Sequence, residues 1–307
     1  MSKVHVLCTN ATFLYNLRYY SLQFVLGVAL GKVTRGKTLK FSVAVIVACH
    51  NRSALTFRAL SSLKVAAPSN WELRVYLVDD GSSDGTVSNI KGVDLDLKVT
   101  TGPGNWYWAK SMFKAECSID KSHDAILWMN DDVELFKDSL THFETTRIAR
   151  PGSILVGQFL DQTKNQIGYG GLLKDGIRPQ RFLLKFFDAN LNAVDTFHGN
   201  LVLIPSGVSE KVGTIDGGFA HAYSDIDFGL RARKLGIEII VVPGFSGTCL
   251  TNQKNNLKLW KRLKAIESPK GQPIKSQIRY LRRHGPWFWP LFLLSPYVRA
   301  VLGKQAG

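Results

Sequence analysis

Residues 125–133, AILWMNDDV, form a strand-length apolar run that ends on two adjacent carboxylates, Asp131 and Asp132. Bare acids directly after a buried strand need a reason to be there. In an open α/β sheet, ligands gather outside the carboxyl ends of the strands, where such acids meet a cation bound to a phosphate. Two earlier segments share the design. Residues 41–49, FSVAVIVAC, are a nearly continuous β-branched run of the kind buried on both faces of a parallel sheet, and they stop at His50-Asn51-Arg52-Ser53. Residues 73–78 stop at Asp79-Asp80, followed by the loop Gly81-Ser82-Ser83-Asp84-Gly85-Thr86.

Between these strands the period changes to that of helices. Ser53 is placed to cap a helix whose Leu55, Ala59, Leu60 and Leu63 make an apolar stripe. A short strand at 95–99 leads through Gly102-Pro103-Gly104-Asn105 into a helix over 106–115, and 125–129 is the fourth strand. This alternation predicts a right-handed, mostly parallel α/β sheet up to about residue 150. Strand-like pieces follow at 154–159 and 201–204, then a helix over 225–235 closed by Gly236 and a strand over 237–242. With 307 residues, one main domain is expected. Residues 41–253 would be its body, with a nucleotide-binding half at 41–150 and an acceptor half at 151–253.

The charge of the chain argues against nucleic acid once it is located. The total is +15, but residues 1–40 hold six Lys/Arg and no acid, and 254–307 hold twelve with Glu267 as the one acid. The flanks therefore carry +17, and 41–253 sums to −2. A near-neutral body between basic, aromatic-rich flanks suits an anionic membrane surface better than a phosphate-tracking groove. The apolar stretch 13–30 is broken by Asn16, Arg18 and Gln23, too polar for a spanning helix, and reads as either a packing or an interfacial helix. The C-terminal flank mixes basic residues with Trp260, Trp287, Phe288 and Trp289, and reads as a headgroup-level belt or as a packed arm at a homodimer contact. Cys8, Cys49, Cys117 and Cys249 are far apart and indicate neither a zinc site nor a disulfide framework, which fits a reduced cytosolic setting. The expected location is peripheral, on the cytoplasmic face of the membrane.

A third acid pair, Asp225 and Asp227, opens the late helix. If the pairs meet on one rim, one can serve the base and ribose, one a divalent ion on a diphosphate, and one a proton transfer. Each also has a plainer reading: Asp80 as a turn closer, Asp225 as a helix cap, and Asp227 with Arg231 as an ion pair four residues apart. His198 and His221 are further candidates for the acceptor side, and His50 for the nucleotide.

Taken together, VAVIVACHNRSALTFRALSSL, YLVDDGSSDGT, LWMNDDVEL and HAYSDIDFGLRARKLG resemble the four signature segments of the family 2 inverting glycosyltransferases over roughly residues 41–250. The resemblance implies the GT-A nucleotide-diphospho-sugar transferase fold, a mostly parallel central sheet flanked by helices, here with a basic aromatic-rich helical C-terminal arm. It places Asn51 and Arg52 beside the nucleotide and Asp79 and Asp80 on the base and ribose. LWMNDDVEL stands at the metal-binding D-x-D position, but Asn130 replaces the first acid. This leaves Asp132 as the favoured Mn²⁺ or Mg²⁺ ligand and Asp131 as a second ligand or a ribose contact. Asp225 falls on the general base, with Ser224 in place of the usual Glu, and Lys110 is a candidate donor contact. The implied reaction moves a sugar from a UDP- or dTDP-sugar to a lipid-linked saccharide, and the rhamnosyltransferase-like surface-polysaccharide branch is the nearest in plan. The other readings are a Mg²⁺-dependent nucleotidyltransferase, for which His50–Ser53 is a poor phosphate loop, and a non-enzymatic anionic-surface or nucleic-acid binding protein.

Overall fold

The computed structural model describes residues 40–164, 166–187, 192–250 and 258–302. The 13–30 stretch, most of the basic N-terminal extension and the start of the C-terminal flank lie outside the described residues.

An eight-stranded mixed sheet carries the chain. Its strands in sequence order are β1 (Phe41–Cys49), β2 (Trp71–Asp79), β3 (Asp96–Thr101), β4 (Ala125–Asn130), β5 (Ile154–Val156), β6 (Asn192–Ala193), β7 (Leu201–Pro205) and β8 (Ile239–Val241). Their spatial order is β6-β8-β5-β7-β4-β1-β2-β3. The first four are mutually parallel, as the apolar runs and intervening helices require. β7 enters antiparallel between β4 and β5, and the sheet turns mixed at that point.

Alternation along β1 divides the core. Val43, Val45 and Val47 pack with Ala59, Leu60 and Leu63 of helix α1 (Ser53–Ala66) on one face. Ala44, Ile46 and Ala48 pack on the other with Met112 and Ala115 of α2 (Tyr107–Cys117) and Phe228 and Ala232 of α3 (Ser224–Lys234). Ile46 and Leu60 are completely buried, and each such side chain contributes about 1.5–3 kcal/mol relative to exposure.

Three local expectations change. Ser53 is the first helical residue of α1 and not its cap; the Ser53 amide instead donates to Asp84 Oδ2 at 2.8 Å, so a carboxylate from the loop after β2 satisfies the helix end. The strand expected over 154–159 is two strands in different sheets, Ile154–Val156 and Phe159–Asp161. They part at Gly157 and Gln158, where a Gly157 Cβ would meet Ser246 and the buried Gln158 amide donates to the carbonyls of Phe187, Val242 and Gly244. The strand expected over 237–242 shortens to Ile239–Val241.

The C-terminal flank is helical and packed. Its helix α4 (Ile274–His284) stacks Tyr280 on Tyr223 with ring centroids 4.7 Å apart, and donates from the Tyr280 hydroxyl to the Pro179 carbonyl at 2.5 Å. Beyond it, Trp287, Leu291, Leu294 and Val298 stay exposed, Trp287 at 90 %. No helix among the described residues is long and apolar enough to cross a membrane.

Candidate active site

The carboxyl ends of β1, β2 and β4 form one rim, and short contacts tie the sequence motifs together there. The turn after β1 is knitted to the loop after β2: Asn51 N donates to Ser82 Oγ at 2.8 Å, Ser83 N donates to Asn51 Oδ1 at 2.8 Å, and His50 Nδ1 lies 2.6 Å from the Asp80 carbonyl oxygen. Asn51 has φ of 50°, Tyr107 55° and Tyr223 73°, each at the entry to α1, α2 or α3. A left-handed backbone on a residue with a side chain costs energy and is concentrated where surroundings hold a site in place.

Asp80 is a loop clamp. Its Oδ1 accepts Gly104 N at 2.8 Å, and its Oδ2 accepts Trp106 N at 2.8 Å and Tyr107 N at 2.9 Å. The glycines of this loop permit the approach, because a Cβ on Gly102 would lie 2.6 Å from Asp80 Oδ1. Of the two expectations for Asp80, the turn-closing one is what its hydrogen bonds express. Asp79 is also buried; its Oδ1 accepts from the Ser82 amide and hydroxyl, while its Oδ2 has no partner among the described residues.

The opening feature of the sequence has an unexpected partner. Arg52 Nη1 donates to Asp131 Oδ1 at 2.9 Å and to Asp132 Oδ2 at 2.7 Å, so one guanidinium nitrogen bridges the two acids. The Asp131 side chain is 8 % exposed and that of Asp132 25 %. Burial pushes the Asp131 carboxyl up to about 7, against the pull of Arg52 and with the repulsion of Asp132. Such a pair calls for a cation. Among the described residues no three ligating side chains gather into a self-sufficient metal site. Two carboxylates suit Mn²⁺ or Mg²⁺ completed by substrate phosphate and water. Asn130, where the D-x-D pattern has an acid, accepts from Trp108 Nε1 at 2.8 Å.

Trp108 carries the rim to the third acid pair. A Cβ on Gly199 would meet the Trp108 ring at 2.7 Å and Asp225 Cβ at 3.3 Å, so Gly199 sits between them. Asp225 Oδ2 accepts Gly199 N at 2.9 Å, and Oδ1 accepts Ile226 N at 2.8 Å. The His221 ring lies 6.0 Å from Trp108. Burial lowers the pKa of His221, which feels the opposing charge of Asp225 and weaker effects of Lys270, Arg52 and Asp132, so both acid sites lie within its electrostatic reach. His198 packs edge-on against Tyr169 at 5.2 Å, and its pKa is likewise lowered by burial beside Asp225. At both positions burial favours the neutral imidazole, against the pull of Asp225.

Two expected site residues lie elsewhere. Asp227 is fully buried against the C-terminal helix, where Arg231 Nε at 2.9 Å, Arg283 Nη1 at 3.1 Å and His284 Nε2 at 2.9 Å surround it; of its two expected roles, the geometry carries the ion pair. Lys110 does not join the acids. Its ammonium lies 5.7 Å from the Trp106 ring, in a cavity lined by other cations.

Sequence reasoning missed Gly199 and Asp84. The Gly/Ser/Asp loop over 81–86 carries no sequence signal that Asp84 serves a helix beginning 31 positions earlier. Gly199 was visible only as the residue after His198.

The family model described as Glycosyl transferase family 2 matches residues 44–201, just over half of the chain. A hexosyltransferase of low-salt glycan biosynthesis from Haloferax volcanii, Agl10, is 25 % identical over 171 residues, covering 53 % of this chain. The match spans only 55 % of that relative's length. Among solved structures, the mannosyltransferase PcManGT of Pyrobaculum calidifontis, in complex with GDP-Man and Mn²⁺, superposes with a TM-score of 0.51 at 19 % identity over 96 % of this chain and 83 % of that one. S. aureus TarS 1–349 with UDP-GlcNAc gives 0.56 at 14 % identity over 85 % and 82 %. At these identities the likeness establishes the shared GT-A fold.

Proposed function

The chain belongs to glycosyl transferase family 2, and on that premise we propose that it transfers a sugar, with inversion, from a nucleoside diphosphate to a lipid-linked or growing cell-surface glycan. The observation that carries the reading is the chain of contacts from Arg52 and the Asp131–Asp132 pair, past Asn130 and Trp108, to Gly199 and Asp225. It joins a cation-demanding acid pair to a separate carboxylate oriented by backbone amides.

In this mechanism Asp79 Oδ2 and Asn51 face the base and ribose, while Asp80 holds the loop beneath them. Asp225, its two oxygens fixed by Gly199 N and Ile226 N, accepts the proton of the acceptor hydroxyl as that oxygen attacks the anomeric carbon. The bond to the diphosphate oxygen breaks on the opposite side, which inverts the configuration. Asp132, with Asp131, would hold a divalent ion whose chemistry is to offset the charge left on the diphosphate. Arg52 uses only Nη1 on the acids, and its other guanidinium nitrogens have no partner among the described residues, so they are available to the same phosphates. His198 and His221, neutral through burial, serve as hydrogen-bonding groups for the acceptor.

The direct test is a thermal-shift panel of UDP-, dTDP- and GDP-sugars with and without Mn²⁺. A donor is expected to raise the melting temperature in the presence of the metal, with little rise from sugar or metal alone. No metal-dependent shift across the whole panel would remove the nucleotide-sugar reading.

The exposed row Trp287, Leu291, Leu294 and Val298 supports placement of the C-terminal arm on an anionic membrane surface, on the cytoplasmic side where nucleotide sugars are made. Deleting the flank is a poor probe, because Arg283, His284 and Tyr280 hold the body together. Trp287→Ser with Leu291→Ser is the cleaner change: co-sedimentation with phosphatidylglycerol vesicles is expected to fall by about tenfold or more with the melting temperature unchanged. Undiminished sedimentation would instead assign the row to a protein contact.

A further inference from the structure

Away from the acid rim, α2, α3, α4 and the loop over 214–218 border an open cavity of about 700 Å³. Lys110, Lys114, Arg231, Arg279 and Arg283 line it, and Asp216 is its one acidic lining residue. Part of this charge is compensated. Arg231 and Arg283 reach the buried Asp227 behind the wall, and Arg279 and Arg283 share Asp216 at 2.9 and 2.6 Å. The buried Glu116, near Arg231, accepts the Ile215 amide at 3.0 Å. Lys110 and Lys114 have no carboxylate partner among the described residues; their ammonium groups lie 5.7 and 5.6 Å from the Trp106 ring. Cations brought around one opening repel each other unless an anion joins them.

The cavity is shaped as well as charged. A Cβ on Gly218 would come within 2.5 Å of the Arg279 guanidinium, so this group lies directly on the bare backbone of the loop. A Cβ on Gly217 would press on Phe113 at 2.9 Å. Of the Arg279 guanidinium only Nη1 meets Asp216, at 3.1 and 2.9 Å, which fixes the group and leaves its other nitrogens without a partner among the described residues. Planar donors held this way match phosphate oxygens.

We propose that this cavity binds a phosphate-bearing anion, a diphosphate or phosphate ester, at a site separate from the Asp131–Asp132 donor site. Its volume exceeds the needs of one phosphate, and Phe113 and Ile215 supply an apolar wall for the group attached to it. The inference rests on charge and shape and does not depend on the transferase reading.

Inorganic pyrophosphate titrated calorimetrically into the full chain in EDTA reads this site apart from a metal-assisted donor site. Saturable binding is expected, weakened about tenfold or more by Lys114→Gln with Arg279→Gln and unaltered by Asp132→Asn. Gly218→Ala, which displaces Arg279 without removing charge, is expected to weaken it too. If the double variant fails to fold, Lys114→Gln alone, on an exposed turn of α2, is expected to cost several-fold. A second arm separates the sources of phosphate. If phosphatidylglycerol vesicles bind, lose binding in the Lys114 and Arg279 variants and are displaced by pyrophosphate, the anion is a lipid headgroup. Pyrophosphate binding with no such vesicle effect identifies a soluble phosphate compound. Absence of saturable binding in both arms, or binding that the cavity variants leave unchanged, overturns the proposal.

Discussion

Asp225→Asn is expected to lower sugar transfer by about 10³-fold while leaving nucleotide-sugar binding within a factor of about two. The asparagine can keep its one oxygen on Gly199 N, at 2.9 Å in the native side chain, and gives up only the local bond from the adjacent Ile226 amide, so the tie across the rim is retained and the main loss falls on the proton acceptor. The two bound amides orient the carboxylate but do not consume all its lone pairs, and a base needs such freedom. Parallel thermal shifts with donor and Mn²⁺ separate the two effects. If transfer survives at near-native rate, the base lies elsewhere; if donor binding collapses with it, Asp225 is part of the donor pocket. His221→Ala tests the neighbouring alternative, because a histidine kept neutral by burial can itself take a proton.

The nucleotide-binding half was legible because its signals are local and redundant. β1, β2 and β4 each carry an apolar run cut off by polar residues, and the helices α1 and α2 have stripes that must face the sheet, so strand direction and rim follow together, whereas β3, DLKVTT, is a half-exposed strand at the sheet's end. Beyond residue 150 the strands are short and their pairing is not sequential. β7 pairs with both β4 and β5, and Gln158 breaks a strand to serve carbonyls from two distant segments. No periodicity encodes such long-range partners.

The site divides in the same way. Residue types at the ends of strands announced where charge would collect, and Arg52, Asp131, Asp132 and Asp225 do fall along one connected rim. Which carboxylate is spoken for is a matter of three dimensions. Asp79 and Asp80 are adjacent in sequence, yet Asp80 spends both oxygens on three amides of a glycine-containing loop while Asp79 keeps one oxygen free. Asp225 and Asp227 open the same helix, yet Asp227 is drawn inward by Arg283 and His284, whose position over fifty residues later gives no sequence cue. Lys110, one turn along from Trp106, belongs to the cationic cavity because the helix turns it there.

Arg52 is the residue whose removal should change the metal requirement most. In the absence of a divalent ion it is the only cation in contact with both Asp131 and Asp132 among the described residues. Arg52→Met keeps much of the aliphatic bulk and leaves two carboxylates facing each other, one nearly buried. Removing one partner of a fully buried pair costs about 3–5 kcal/mol, and the one-third exposure of Arg52 reduces this to about 2–3 kcal/mol. A loss of that size in a domain this large lowers the melting temperature by about 5–10 °C in EDTA. Asp131 can limit the damage by holding its proton to higher pH, since its carboxyl already stands at about 7 with the arginine in place. The variant then keeps the Asp131 proton where the native chain releases it, so its deficit relative to the native chain should widen as pH rises through about 7 toward 8. A divalent ion that occupies the same carboxylates replaces the missing charge. Mn²⁺ is therefore expected to raise the melting temperature of Arg52→Met more than that of the native chain, and more at pH 8 than at pH 6, because binding must displace the Asp131 proton. Equal Mn²⁺ stabilisation of both proteins would mean that Arg52 and the metal do not share these acids, and a variant with undiminished stability in EDTA would mean that the bridge carries no weight in the fold.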